Sequence, residues 1–197
     1  MKRIIAVLML LTLVIGLFTG CSQNPQASTE QVIKIGIFEP FTGKNASGGK
    51  QEALGIAYAN SLQPTVTIDG TTYTVELVVA DNESSVEKAP TAATTLVDHG
   101  VSVVLGPHGS DVAMAGSSVF EAAGIPVVGV TCTNPAVTAG NQHFFRICWL
   151  DTFQGSVLAK FAEEHLKAAT VYCLAEQGDN YSAGLCSYFI EGFTALG

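Results

Sequence analysis

Small hydroxyl residues stand at the ends of two apolar runs between Val101 and Pro135, and their spacing suits the capture of an anion. The first run, V-S-V-V-L, breaks at Gly106-Pro107 and passes through His108 and Gly109 to Ser110. The second, G-I-P-V-V-G-V, ends in Thr131, Thr133 and Asn134. Runs of Val, Ile and Leu bounded by Gly and Pro predict strands buried on both faces of a parallel sheet. Each predicted strand leads into a helix whose first N–H groups lack an intrahelical partner. Those N–H groups, with hydroxyls beside them, attract a small negative group such as a carboxylate. In an open α/β sheet such turns gather at the carboxyl ends of the strands, where ligands bind. Gly109, Ser110, Thr131 and Thr133 are therefore the expected carboxylate-binding half-site.

Other residues nearby read more plainly. Ser110 taken alone suits an ordinary helix N-cap. Asp111 favours the helix dipole but would repel an anion, so it must point away from the cleft if the half-site is real. His108 in a polar turn reads as a solvated surface residue. Asp81 reads as a cap for the segment after it, and Arg146, inside an apolar strand, as the partner of a structural carboxylate. Cys132 reads as a small buried residue.

The elements that must position this half-site alternate. Strands are predicted at 32–38, 65–68, 74–80, 102–105, 126–130 and 144–148. Helices are predicted at 51–62, with Ala53, Leu54, Ala57 and Tyr58 inward, from about Glu87–Ala89 to Val97, and at 110–123. Asp69-Gly70 signals a hairpin, and Asn134-Pro135 an N-cap followed by Pro. The alternation predicts right-handed βαβ units and a doubly wound parallel sheet over residues 32–150. From Asp151 the pattern restarts: Asp151 or Thr152 caps a helix with Val157, Leu158, Phe161, Ala162 and Leu166 inward. A strand at 170–175 and a helix at 181–196 come next. One strand cannot enclose a core, so residues 151–197 are expected to be the start of a second, similar lobe.

Composition narrows the function. The 197 residues carry 17 acidic and 9 basic side chains, a formal charge of −8. Lys2 and Arg3 head an apolar stretch to Phe18 that is too short for a comfortable membrane span, so residues 1–20 read as a cleaved leader and the remainder of the chain is more acidic still. No basic stripe remains, which argues against nucleic acid. The five cysteines show no C-x-x-C spacing, so no metal site is expected; Cys173 and Cys186 could pair, although free thiols are the simpler state. G-K-N-A-S-G-G-K-Q fails the phosphate-loop pattern, and neither G-x-S-x-G nor G-x-G-x-x-G occurs where it is needed. The chain is not expected to be an enzyme or to need a cofactor.

Leu17-Phe18-Thr19-Gly20-Cys21 resembles the bacterial lipobox, which implies lipidation of Cys21 and a tether over residues 21–31. V-I-K-I-G-I-F, V-V-A-D-N, L-G-P-H-G-S, G-I-P-V-V-G-V-T-C-T-N-P and F-F-R-I-C-W-L-D-T-F-Q-G come in the order of one family. The chain resembles the type I periplasmic-binding-protein family, specifically the branched-chain amino-acid-binding lipoproteins of ABC importers. The resemblance implies a two-lobed α/β protein outside the cytoplasm, holding an amino acid in the interlobe cleft and delivering it to an ABC permease. It implies that Ser110, the backbone of Thr131, and Thr133 hold the ligand's carboxylate, and that Tyr181 lines the cleft. The family's acid for the ligand's ammonium would lie beyond Gly197, and the aromatic of its first loop has no equivalent in K-N-A-S-G-G. A lipid-anchored sensor domain for another carboxylate or amide, and a hydrolase with Ser110 as nucleophile, are the alternative readings.

Overall fold

The apolar run V-I-K-I-G-I-F-E forms strand β1 (Val32–Glu39), whose last four residues are buried. In the computed structural model, which describes residues 31–197, β1 lies at the centre of a six-stranded sheet. It pairs in parallel with β3 (Thr71–Asp81) on one side and β4 (Val103–Leu105) on the other. Beyond β4 come β5 (Val127–Gly129) and β6 (Phe144–Arg146), both parallel to their neighbours. At the opposite edge β2 (Thr65–Ile68) pairs antiparallel with β3 through the Asp69-Gly70 turn. Both turn residues have positive φ, 48° and 78°, as a two-residue hairpin requires. The winding runs from β1 to one edge and then returns to β4, so its direction reverses between β1 and β4. That reversal opens a crevice at the carboxyl ends of the strands.

Helices α1 (Ala46–Leu62), α2 (Ala89–Asp98) and α3 (Ser110–Ala123) fill the connections. Pro90 sits in the first turn of α2, where its missing N–H costs no helical bond. The core is built from Phe38 of β1, Val104 of β4, Leu96 of α2 and Phe120 of α3. The Phe38 and Phe120 rings meet edge to face at 5.4 Å and 79°. Gly116 makes room for them: a Cβ there would come within 2.8 Å of Phe38 Cζ.

After β6, helix α4 (Asp151–Lys160) runs into a π-helical turn, Phe161–His165, and packs on helix α5 (Asn180–Ala195). The close approach is made by small residues. Gly155 lies against Tyr188, and Gly192 against Ala159.

Several expectations change. The predicted strand 170–175 is not formed, and Tyr172 and Leu174 are 95% and 88% exposed. A strand exists only by pairing, and no described strand lies beside this one. On α1, Leu54 and Tyr58 are exposed and Ala57 lies outward. The inward face is Gly49, Glu52, Ala53, Ile56 and Asn60, because Gly49 packs without a Cβ against Pro40 and so sets the helix's rotation. On α4 and the turn after it, Val157, Leu158, Phe161 and Leu166 are exposed, and the buried positions are Gly155, Ala159 and Ala162. The leader, Cys21 and the tether fall outside the described residues. The last tether residue, Gln31, is described, and its carbonyl accepts from Thr74 N–H at 2.7 Å, extending the β1–β3 ladder. No described helix is long and apolar enough to cross a membrane. The Phe38→Ala variant is expected to lose about 3–5 kcal/mol of stability, measured by urea denaturation with an unchanged slope.

Candidate functional site

Ser110 opens α3, but the helix's N-cap is Gly109, held at φ 104°, and no side chain caps the helix. The first intrahelical bond is Ala113 N–H to Gly109 carbonyl, at 3.2 Å. The N–H groups of the first turn thus stay open, as an anion site requires. The Ser110 hydroxyl does not cap its own helix, contrary to the simple reading. Ser110 is buried, and its Oγ accepts from Asn134 N–H at 3.1 Å, which leaves the hydroxyl proton for another partner. Asn134 in turn caps the short 3-10 helix Pro135–Val137, its Oδ1 accepting from Ala136 N–H at 2.9 Å.

Thr133 lies across from Ser110. Its Oγ1 is buried and makes no well-formed hydrogen bond among the described residues, although the buried Asp151 carboxylate lies close enough to feel it. Unpaired buried hydroxyls cost free energy, so such a group is a candidate for a ligand contact. Thr131 donates its hydroxyl to Glu52 Oε1 at 2.6 Å, while its N–H has no partner in a turn or cap. Gly109, Ser110, Thr131, Thr133 and Tyr181 all line one cavity of about 600 Å³. All five predicted residues meet there. A separate apolar hollow of about 580 Å³ between α1 and the sheet contains none of them.

The far wall comes from the segment before α5. Asp179 caps that helix, accepting from Ser182 N–H at 2.8 Å, and Lys44 meets Glu176 at 2.8 Å. Asp111 does not point away from the cleft as expected. It lines the cavity, but both its oxygens are turned onto Asn180, whose N–H and Nδ2 donate to them at 3.2 and 2.7 Å, so the charge is engaged there and is not left free against an anion at the Ser110 turn.

The fold has known relatives. A family model described as "Periplasmic binding protein" matches residues 32–197. The chain belongs to that family. A curated amino acid binding protein of Pseudomonas aeruginosa is 33% identical over 78% of this chain and 41% of its own length. The Leu/Ile/Val-binding protein BraC3 of Rhizobium johnstonii is 31% identical over 84% and 45%. Among solved structures, the leucine binding protein LivK of Thermotoga maritima superposes with a TM-score of 0.78 at 35% identity, covering 84% of this chain and 47% of its own. The isoleucine-bound LivJ of Streptococcus pneumoniae gives 0.74 at 28%, covering 83% and 47%. The chain spans less than half the length of these relatives.

Within this periplasmic-binding-protein lobe, His108 and Arg146 act differently from expectation, and Asp81 has a wider role than expected. His108 is not a solvated surface group. Its side chain lines the cavity, and its Nδ1 lies 2.5 Å from Glu52 Oε1 and 3.0 Å from Thr131 Oγ1. No hydrogen bond joins His108 to Ser110, so no nucleophile–base pair forms between them. Arg146 meets no carboxylate at ion-pair distance among the described residues. It donates to the carbonyls of Cys132, Asn134 and Pro135 at 2.9, 2.8 and 3.4 Å and to Thr138 Oγ1 at 2.6 Å, which fixes the loop carrying Thr133. Asp81 does cap the segment after it, through Glu83 N–H at 2.9 Å, and it does more than that. It accepts from Phe41 N–H, Thr42 N–H, Thr42 Oγ1 and Glu83 N–H and so ties the loop before α1 to the end of β3. Burial alone would raise its pKa, but these four donors together hold it below the usual carboxylate range.

Asp151 also departs from its expected role, since Leu150 is the N-cap of α4 and makes no side-chain cap bond. The Asp151 side chain is buried beside Thr133, and burial pushes its pKa up against the opposing Thr133 hydroxyl and Arg146 charge. The buried Cys132 thiol is pushed up to about 12 by burial. Among the described residues the cysteines are free, and no group of three metal-ligating side chains converges.

The residues that sequence reasoning missed are Glu39 and Glu52. Glu39 ends β1, fully buried, and accepts His108 N–H at 2.7 Å. Burial first, and the Glu52 charge second, push Glu39 up to about 9, so at neutral pH it carries a proton. Glu39 Oε1 and Glu52 Oε2 are buried with no other partner among the described residues, and the protonated Glu39 carboxyl is the group that can donate to Glu52. A Glu at a strand end followed thirteen positions later by another gives no recognisable signal.

The folded state holds a proton on Glu39 that the unfolded chain loses above about pH 4.5. Stability should therefore fall as pH rises from about 4.5 to about 9, by up to about 1.4 kcal/mol per pH unit. Glu39→Gln, which keeps a neutral donor, is expected to flatten that slope in denaturation curves collected at pH 5, 7 and 9.

Proposed function

We propose that the protein is an extracytoplasmic solute-binding lipoprotein that captures an amino acid by its carboxylate and delivers it to an ABC permease. One observation carries this reading: a buried threonine hydroxyl at Thr133, with no well-formed hydrogen bond to the protein, lines the same cavity as the uncapped first turn of α3 and the Ser110 hydroxyl. Three such donors suit the two oxygens of a carboxylate. Each charge-assisted bond contributes about 1.5–3 kcal/mol, so together they supply much of the ~8 kcal/mol of a micromolar site. The amino-acid-binding names of the relatives agree with a ligand of this class.

In this reading the N–H of Thr131 is a further donor, Gly109 lets the backbone approach the ligand, and Tyr181 closes the cavity from the second lobe. Residues 1–20 are the leader, Cys21 carries the lipid, residues 21–31 are the tether, 32–150 form the first lobe, and 151–197 begin the second. Closure of the lobes around the ligand is a hinge motion that presents a new surface to the permease. Catalysis has no support in the geometry, because Ser110 Oγ accepts from a backbone N–H and has no general base beside it.

Thermal-shift measurements on the intact mature protein against the common amino acids should give a ligand-dependent rise in melting temperature. Ser110→Ala and Thr133→Ala are each expected to weaken binding by about 10- to 100-fold. A shift that survives both substitutions would place the carboxylate elsewhere. Cys21→Ser is expected to move the protein from the membrane fraction to the soluble fraction on cell fractionation.

A further inference from the structure

Among the described residues, those that line the ligand cavity are mostly of polar type: its only aliphatic residues are Val86 and Val112. A site made for an aliphatic side chain would be lined by hydrophobic groups, with polar groups only where they fix orientation. Here the group beside the carboxylate-binding turn is an imidazole. His108 immediately precedes Gly109 and Ser110, and its side chain is 34% exposed.

Its orientation is tightly set. The edge of the ring carrying both nitrogens lies over Gly48 of α1, where a Cβ would come within 2.5 Å of His108 Cε1. Gly48 is therefore needed if the imidazole is to occupy this wall. Nδ1 is engaged by Glu52, and Glu52 is itself held by Thr131 and by the protonated Glu39 carboxyl. Nε2 has no hydrogen-bond partner among the described residues. The Glu52 hydrogen bond raises the pKa of the ring while burial opposes it, so the ring gains a proton more readily than an ordinary histidine. When Nδ1 holds its proton against Glu52, protonation of the ring places the second N–H on Nε2.

We infer that His108 is a specificity-determining residue of the amino-acid site, and that its Nε2 selects a ligand with a neutral carboxamide side chain over an aliphatic one. This rests on the carboxylate half-site proposed above. The carboxamide offers a carbonyl oxygen to the imidazolium and an amide donor to the neutral ring, so it pairs with either state. A second carboxylate is disfavoured because Asp111, Glu176 and Asp179 outnumber Lys44 and His108 on the wall. A leucine or isoleucine side chain would leave Nε2 desolvated and unpaired, and sites built to hydrogen-bond a ligand discriminate strongly on that account.

The test is isothermal titration of the intact mature protein with glutamine, asparagine, leucine, isoleucine and glutamate. The parent protein is expected to bind glutamine or asparagine at least tenfold more tightly than leucine or glutamate. His108→Leu should reverse the amide-to-leucine ratio by at least tenfold, and His108→Gln should retain the amide preference; circular dichroism melts establish that each variant is folded. If His108→Leu does not fold, the parent's own preference and that of His108→Gln decide the matter. A parent that prefers leucine or glutamate, or a folded His108→Leu with an unchanged ratio, overturns the inference. In that event, loss of leucine binding in Ser110→Ala would show that the carboxylate half-site stands. If none of the five binds the parent, the half-site reading fails and this inference falls with it.

Discussion

A buried pair of carboxyl groups, Glu39 and Glu52, ties together the segments that build the site. Glu39 ends the central strand β1, and Glu52 sits on the inward face of α1. His108, in the turn after β4, gives its N–H to Glu39 and its ring to Glu52, and Thr131, past the end of β5, gives its hydroxyl to Glu52. Two ionised carboxylates could not share this space without strong repulsion, so one must stay neutral. The crevice created by the reversal of winding between β1 and β4 is thus given one geometry by a polar cluster. A purely apolar junction would pack, but it would hold the turn at His108–Ser110 and the end of β5 with far less directional constraint.

A second polar device sets the other half of the site. Arg146 supplies its guanidinium to three carbonyls and one hydroxyl of the segment Cys132–Thr138. A loop of that length has carbonyls that no sheet ladder satisfies, and a rigid fork of donors is well suited to them. Its consequence is local: Thr133 lines the cavity with its hydroxyl in no well-formed hydrogen bond to the protein, and Asn134 is placed to donate its N–H to Ser110. The two anion-facing turns are coupled through that bond. A change at either turn should be felt at the other, because they share the Ser110 hydroxyl.

Contacts from beyond β6 give the cavity its far wall. The pairs Lys44–Glu176, Asp111–Asn180 and Asn134–Asn180 join the turns at the carboxyl ends of the strands to the segment at the start of α5. All are exposed polar contacts of the kind that contribute little individually to stability. Phe161, just after α4, and Tyr172 and Leu174, between α4 and α5, are apolar residues left exposed.

The sequence alone determined the order of strands and helices through the first lobe, the hairpin at Asp69-Gly70, and the meeting of Ser110, Thr131 and Thr133. Those features arise from local rules: β-branched runs, Gly and Pro punctuation, and the tendency of strand ends in a wound sheet to converge. Only the tertiary structure decided which face of α1 turns inward, where a buried Glu52 displaced the more apolar Leu54. It also decided that His108 belongs to the cavity, that Arg146 serves carbonyls, and that residues 170–175 remain unpaired. The reason is common to all four. Helix rotation, the partner of a buried charge and the existence of a strand depend on groups distant in the chain, and no local pattern of residues records where those groups will stand.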